Sequence, residues 1–155
     1  MTARRIDGYG RVDRNAPVSF SWDGAQRSGY AGDSLASALL ADGEMLFGRS
    51  FKYHRPRGVL GAGTEEPNAL VNLGKGAGFE PNQRATTQEL FDGLFATSQN
   101  HWPSLEFDVG AINKHLSRFL PAGFYYKMFI HPRPLWKHVY EPFIRQSAGL
   151  GKAPE

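Results

Sequence analysis

The chain has 155 residues, 41 % of them hydrophobic, which suits one domain with a real core and leaves room for a short appendage. Its net charge of +3, on 21 % charged residues, is weaker than dedicated nucleic-acid binders usually carry, and no apolar run approaches the ~18 residues that cross a bilayer. With no cysteine anywhere, disulfides, thiolate chemistry and cysteine-ligated metal or iron–sulfur sites are excluded, and a reducing compartment fits.

Residues 1–16 are polar and contain several glycines, and they read as a solvated, extended arm carrying Arg4, Arg5, Arg11 and Arg14. No apolar core follows these arginines, so the start is not a secretory signal. Val18 to Trp22 alternates apolar and polar residues and runs into Asp23-Gly24. That pattern predicts a hairpin, with Val18, Phe20 and Trp22 facing the core. The segment Gly32 to Gly43 predicts a helix with Asp33 as N-cap, Gly43 at the left-handed C-terminal position, and Leu35, Ala38 and Leu39 as its buried stripe. Met45-Leu46-Phe47 predicts a short strand or buried connector.

From Gly48 to Asn68 the pattern is that of a long loop, and long loops in compact domains are usually functional or held by a partner. Its first half holds Arg49, Phe51, Lys52, Tyr53, His54, Arg55 and Arg57 without one acid. Lys52, His54, Arg55 and Arg57 are the best binding candidates, with Arg49 beside them. They could hold a phosphate, a carboxylate or an acidic surface, or they could pair with Glu65, Glu66 or acids of another domain. Stacking of single-stranded nucleic acid on Phe51 and Tyr53 ranks last. The second half reads Gly58, Gly61, Gly63, Glu65, Glu66, Asn68. Gly61-x-Gly63 lacks the third glycine of a dinucleotide loop, because Glu66 stands there, and a carboxylate would repel pyrophosphate.

Ala69 to Leu73 predicts a core strand. The stretches Arg84 to Leu90 and Leu94 to Ser98, around Asp92-Gly93, predict a second hairpin. Asp108 to Leu120 predicts a second helix capped by Asp108, with Val109, Ile112, Leu116 and Phe119 or Leu120 on one face. A third helical pattern starts near Pro134, and Pro142 should kink or end it. The five histidines show no zinc-ligand spacing and no serine sits in a nucleophile elbow, so no metal or catalytic residue is assigned. Phe124, Tyr125, Tyr126, Phe129, Trp136 and Tyr140 are more than a chain this size readily hides, and together with Phe143 they predict a surface covered by another domain or subunit. The last residues read as a linker.

The string Gly48 to Gly58 (GRSFKYHRPRG), with Glu65-Glu-Pro-Asn-Ala-Leu-Val71, resembles the N-terminal part of the alpha subunit of heterotetrameric sarcosine oxidase. So do Arg84-Ala-Thr86, Ser98-Gln-Asn100 with Trp102-Pro-Ser104, Phe119 to Lys127, Tyr140-Glu-Pro142 and Ala148 to Gly151. The resemblance implies an α+β chain: a β-grasp, 2Fe-2S ferredoxin-like domain over 17–100. Residues 101–155 would form an irregular, partly helical, aromatic-rich extension leading towards a dinucleotide-binding domain. In cluster-bearing relatives cysteines occupy the loop corresponding to Gly58–Ala69, so here the cluster should be lost.

The resemblance further implies a cytoplasmic flavoenzyme complex that oxidatively demethylates sarcosine to glycine. Hydrogen peroxide is formed and a one-carbon unit passes to tetrahydrofolate. FAD, FMN, NAD and tetrahydrofolate belong to the complex and none to this segment, which should be inactive alone. Its expected partners are the dinucleotide-binding domain and the other subunits, with no membrane. The rival reading is a free-standing interaction module that binds nucleic acid or an acidic protein through Arg49–Arg57.

Overall fold

The computed structural model describes residues 4–6, 8–119 and 131–147. Strands β1 (Asp13–Trp22) and β2 (Ala25–Ala31) form the expected hairpin, closed by Asp23 and Gly24 at φ 48° and 84°. Two positive φ values are what a turn matching the strand twist requires. Phe20 and Trp22 are buried and Val18 packs partly against them, as the alternation predicts.

Helix α1 (Leu35–Asp42) follows, with Gly43 left-handed at φ 94° past its end. Its N-cap is Ser34, not Asp33: Ser34 and Ser37 form a reciprocal capping box. Asp33 is released for another task. Its carboxylate accepts from the Tyr30 amide (2.9 Å), the Ser37 hydroxyl (2.7 Å) and both terminal nitrogens of Arg5 (3.1 and 2.6 Å). The Arg4 amide donates to the Ala41 carbonyl at 2.7 Å. Arg4 and Arg5 of the arm are therefore docked beside α1 and not solvated, because a buried carboxylate needs its charge answered.

Strands β3 (Gly48–Arg49) and β4 (Pro56–Arg57) pair with each other inside the stretch expected to be a plain loop. Strands β5 (Leu70–Leu73), β6 (Glu80–Arg84) and β7 (Phe95–Thr97) complete a five-stranded sheet of order β2-β1-β7-β5-β6. The late strand β7 enters the middle of the sheet, parallel to β1 and antiparallel to β5. Hairpin, covering helix and a late central strand parallel to the first make an α+β, β-grasp architecture. Phe20, Trp22, Leu35, Leu39, Phe47, Val71, Leu94 and Ala96 fill the space between α1 and the sheet. Each large side chain buried there contributes about 1.5–3 kcal/mol of transfer free energy.

The second hairpin does not form. Residues 85–90 spend their polar groups on the helix: Leu35 and Ala36 donate to the Gln88 and Ala85 carbonyls, and Leu90 donates to Asp33. The Asp92-Gly93 turn is held by β1, through Asp92 Oδ1 and the Gly93 amide against Ser19. Helix α1 needs partners for its first amides, and that need outweighs the local turn signal.

Beyond the sheet, Val109–Phe119 is a 3₁₀ helix. A three-residue period eclipses Val109 and Ile112 but carries Leu116 round by a third of a turn, so the stripe read at 3.6 residues is split. Segments α2 (Arg133–Leu135), a π-helical turn (Trp136–Tyr140) and α3 (Glu141–Ser147) run on as one helical stretch. Pro142 neither ends it nor stands alone. The preceding turn widens, and the Glu141 amide reaches the Trp136 carbonyl five residues back.

Candidate functional site

The basic stretch is a tight excursion between β3 and β4. The His54 amide donates to the Ser50 carbonyl at 2.8 Å, the Ser50 amide donates to the Arg55 carbonyl at 2.9 Å, and the Arg55 amide donates to Ser50 Oγ at 3.0 Å. His54 takes a left-handed φ of 50° there, which turns its ring towards the extension. Its Nδ1 lies 2.7 Å from Asp108 Oδ2. Asp108 Oδ1 accepts from the amides of Trp102 (3.0 Å) and Gly110 (3.1 Å). Burial works to raise the pKa of this carboxyl, but the Trp102 amide, the His54 side chain and the Gly110 amide together hold it below its ordinary value. Arg49 is buried against the same segment. It donates Nε to the Leu105 carbonyl (2.8 Å), Nη2 to the Glu106 carbonyl (3.1 Å) and Nη1 to the His54 carbonyl (3.0 Å). A Cβ added at Gly110 would stand 2.3 Å from the His54 ring, so only glycine lets the two segments close.

Two of the five cationic candidates, Arg49 and His54, are thus engaged with the extension. Lys52 and Arg55 flank the Tyr53 ring, each 4.9 Å from its centre. Arg57 donates to Asn68 Oδ1 at 2.8 Å and leans on the Pro67 carbonyl at 3.4 Å. Beside it opens a polar cleft of about 190 Å³, lined by Arg57, Asn68, Asn82, Gln99 and Asn100 among others.

The acids go elsewhere. Glu66 is 1 % exposed, and its carboxylate accepts four backbone amides. Leu60 and Gly61 donate to Oε2 (2.6 and 2.5 Å), and Asn68 and Ala69 donate to Oε1 (2.6 and 3.0 Å). Burial alone would raise its pKa, yet the four amide bonds bring it below the ordinary value. Glu65 is different: its carboxylate accepts from the Gly63 amide (3.1 Å) on the exposed side of the loop. Gly61 therefore serves the cradle and Gly63 its rim, while Gly58 lies against the Met45 carbonyl instead. The expected pairing of cations with Glu65 and Glu66 gives way to peptide amides, which are nearer and already fixed by the turn. A glycine-rich loop with a carboxylate inside it was the available signal for this cradle.

A serine–histidine contact also exists that the sequence did not reveal. Ser98 Oγ lies 2.6 Å from Asp23 Oδ2 and 2.8 Å from His101 Nε2. The hydroxyl sits between acid and imidazole and donates to the acid, so the histidine cannot take its proton and the set is not a nucleophilic triad. Among the described residues no group of three His, Asp or Glu side chains could hold a metal ion. Of the expected interface rings, Trp136 and Tyr140 are half-buried, while Phe124, Tyr125, Tyr126 and Phe129 lie outside the described residues.

A family model described as "2Fe-2S iron-sulfur cluster binding domain" matches residues 15–101. The chain belongs to this family. It is also 63 % identical over 153 residues, 99 % of its length, to sarcosine oxidase subunit alpha of Rhizobium meliloti (strain 1021). To sarcosine oxidase subunit alpha of Corynebacterium sp. (strain U-96) it is 42 % identical over 90 residues, 56 % of its length. The chain spans only 16 % and 9 % of those two relatives. A solved structure, of L-proline dehydrogenase from P.horikoshii, overlays 62 % of this chain and 18 % of its own at a TM-score of 0.45 and 22 % identity.

The family's description implies a cluster, and the residues present do not fit one. No cysteine is available to ligate iron, and the loop amides that could face an anionic cluster are taken by Glu66.

Proposed function

We propose that the chain is the N-terminal structural and assembly module of a sarcosine oxidase alpha subunit. The parent complex oxidatively demethylates sarcosine to glycine, forms hydrogen peroxide and passes a one-carbon unit to tetrahydrofolate. The observation that carries this reading is the 63 % identity over 99 % of the chain. The module consists of the 1–16 arm, the 17–100 domain and the 101–155 extension. It binds no cofactor itself; FAD, FMN, NAD and tetrahydrofolate belong to the cytoplasmic complex. Its partners are a dinucleotide-binding domain and the other subunits.

The extension supports this assembly role. Trp102, Phe107, Val109, Ile112 and Phe143 are 49–70 % exposed, although the sheet core is closed. Large apolar groups gathered outside a finished core mark a surface to be covered. Among the described residues no helix is long and apolar enough to cross a membrane. The reading of Arg49–Arg57 as an anion-binding module is weaker, because Arg49 and His54 are bonded within the chain.

Affinity purification of the tagged chain from its native cells tests the proposal. Flavin absorbance and sarcosine-dependent peroxide should co-purify with the tag, and the chain alone should give neither. Recovery of the chain free of any flavoprotein would overturn the reading.

A further inference from the structure

The carboxylate of Glu66 is a buried anion whose four partners are all backbone amides, two on each oxygen. Such a ring of converging N–H groups is an anion-binding concavity, and its field comes from peptide dipoles. The cradle is braced from outside. Thr86 Oγ1 donates to the Gly63 carbonyl (2.9 Å), Arg84 Nε to the Glu66 carbonyl (3.3 Å) and Arg57 to Asn68 Oδ1 (2.8 Å). These bonds do not involve the carboxylate, so they remain when it is removed.

We propose that the 58–69 loop is a preformed anion site whose resident ligand is the chain's own Glu66 carboxylate, and that with this side chain cut back the site binds a small carboxylate from solution. Acetate is the matching ligand. Glu66→Ala removes one methylene and the carboxylate, and acetate restores a carbon and a carboxylate in the same volume. Formate should bind less well, because it lacks the carbon that fills the space beside Cβ. A cation such as methylammonium should not bind, since four donors face the site and no acceptor answers it.

The test is thermal unfolding of the full chain near neutral pH, at constant ionic strength set with sodium chloride. Glu66→Ala leaves four amide donors unpaired, that of Ala69 buried and the other three part-buried, and should lower Tm by roughly 10 °C. Acetate should then raise the Tm of this variant in a saturable way by several degrees, while wild type and Glu65→Ala show no saturable rise. A folded Glu66→Ala chain whose Tm follows acetate no more than it follows chloride would overturn the proposal. If the variant does not fold, the wild-type chain decides. The amide protons of Leu60, Gly61, Asn68 and Ala69 should shift together as Glu66 titrates, with a midpoint below the ordinary 4.5. Independent shifts, or a common midpoint at or above 4.5, would sink it.

Discussion

In the 58–69 loop a charged group is turned inward and met by the chain's own amides, whereas Trp102, Phe107, Val109, Ile112 and Phe143 keep large apolar side chains exposed outside the sheet core. Glu66 has four donors at 2.5–3.0 Å, while Phe107 and Phe143 are each 70 % exposed. The polar groups of the loop are satisfied within the chain, while the described part of the extension keeps large apolar side chains exposed. Under the assembly role proposed above, the extension is the part that a partner would cover. The extension is joined to the basic stretch that precedes the loop by the Arg49–His54–Asp108 cluster.

Breaking that joint should have the largest effect. Asp108→Ala removes the acceptor of the Trp102 and Gly110 amides and the partner of His54, and leaves Arg49 beside no carboxylate. A loss of about 3 kcal/mol is expected, read from the urea midpoint of the chain. A loss under about 0.5 kcal/mol would mean that the extension is held by something else. The same cluster predicts an acid limb. Asp108 and Glu66 both have lowered folded-state pKa values, so each contributes stability above its ordinary range and loses it as protons bind the folded state. Stability should therefore fall as pH drops through and below the ordinary values of 3.8 and 4.5, and Asp108→Ala should flatten that slope.

A subtler change should prise the joint open without removing any polar group. Gly110→Ala puts a methyl 2.3 Å from the His54 ring, and the expected cost is about 1–3 kcal/mol. The His54 ring resonances should move while those of Phe20 and Trp22 in the core stay put. Unchanged His54 resonances would contradict the close contact.

The smallest effect on the chain itself should come from its open face. Ile112→Ser removes an apolar side chain that is 60 % exposed, so the stability of the chain alone should stay within about 0.5 kcal/mol. Recovery of the assembled complex in a pull-down should fall several-fold if this face is an interface. Full assembly would move the interface elsewhere.

The sequence by itself determined those elements whose signals are local and agree with their surroundings. The Asp23-Gly24 hairpin, the body and C-terminus of α1, and the β5 strand follow from period, turn chemistry and apolar runs. The absence of cysteine settled, before any coordinates, that iron could not be held by thiolates here. Only the tertiary structure decided where polar groups with several possible partners would go. Asp33 could cap α1 and instead clamps Arg5, because Ser34 and Ser37 cap it equally well. Asp92-Gly93 could close a hairpin and instead docks on β1, because α1 needed the carbonyls of residues 85–88. Glu66 could meet Arg57 and instead meets Leu60, Gly61, Asn68 and Ala69. His54 and Asp108 are 54 residues apart, and nothing in their local sequence joins them. A side chain's type fixes what it can bond, but its partner is chosen by whichever unsatisfied group the fold brings nearest, and that is set by the whole chain at once.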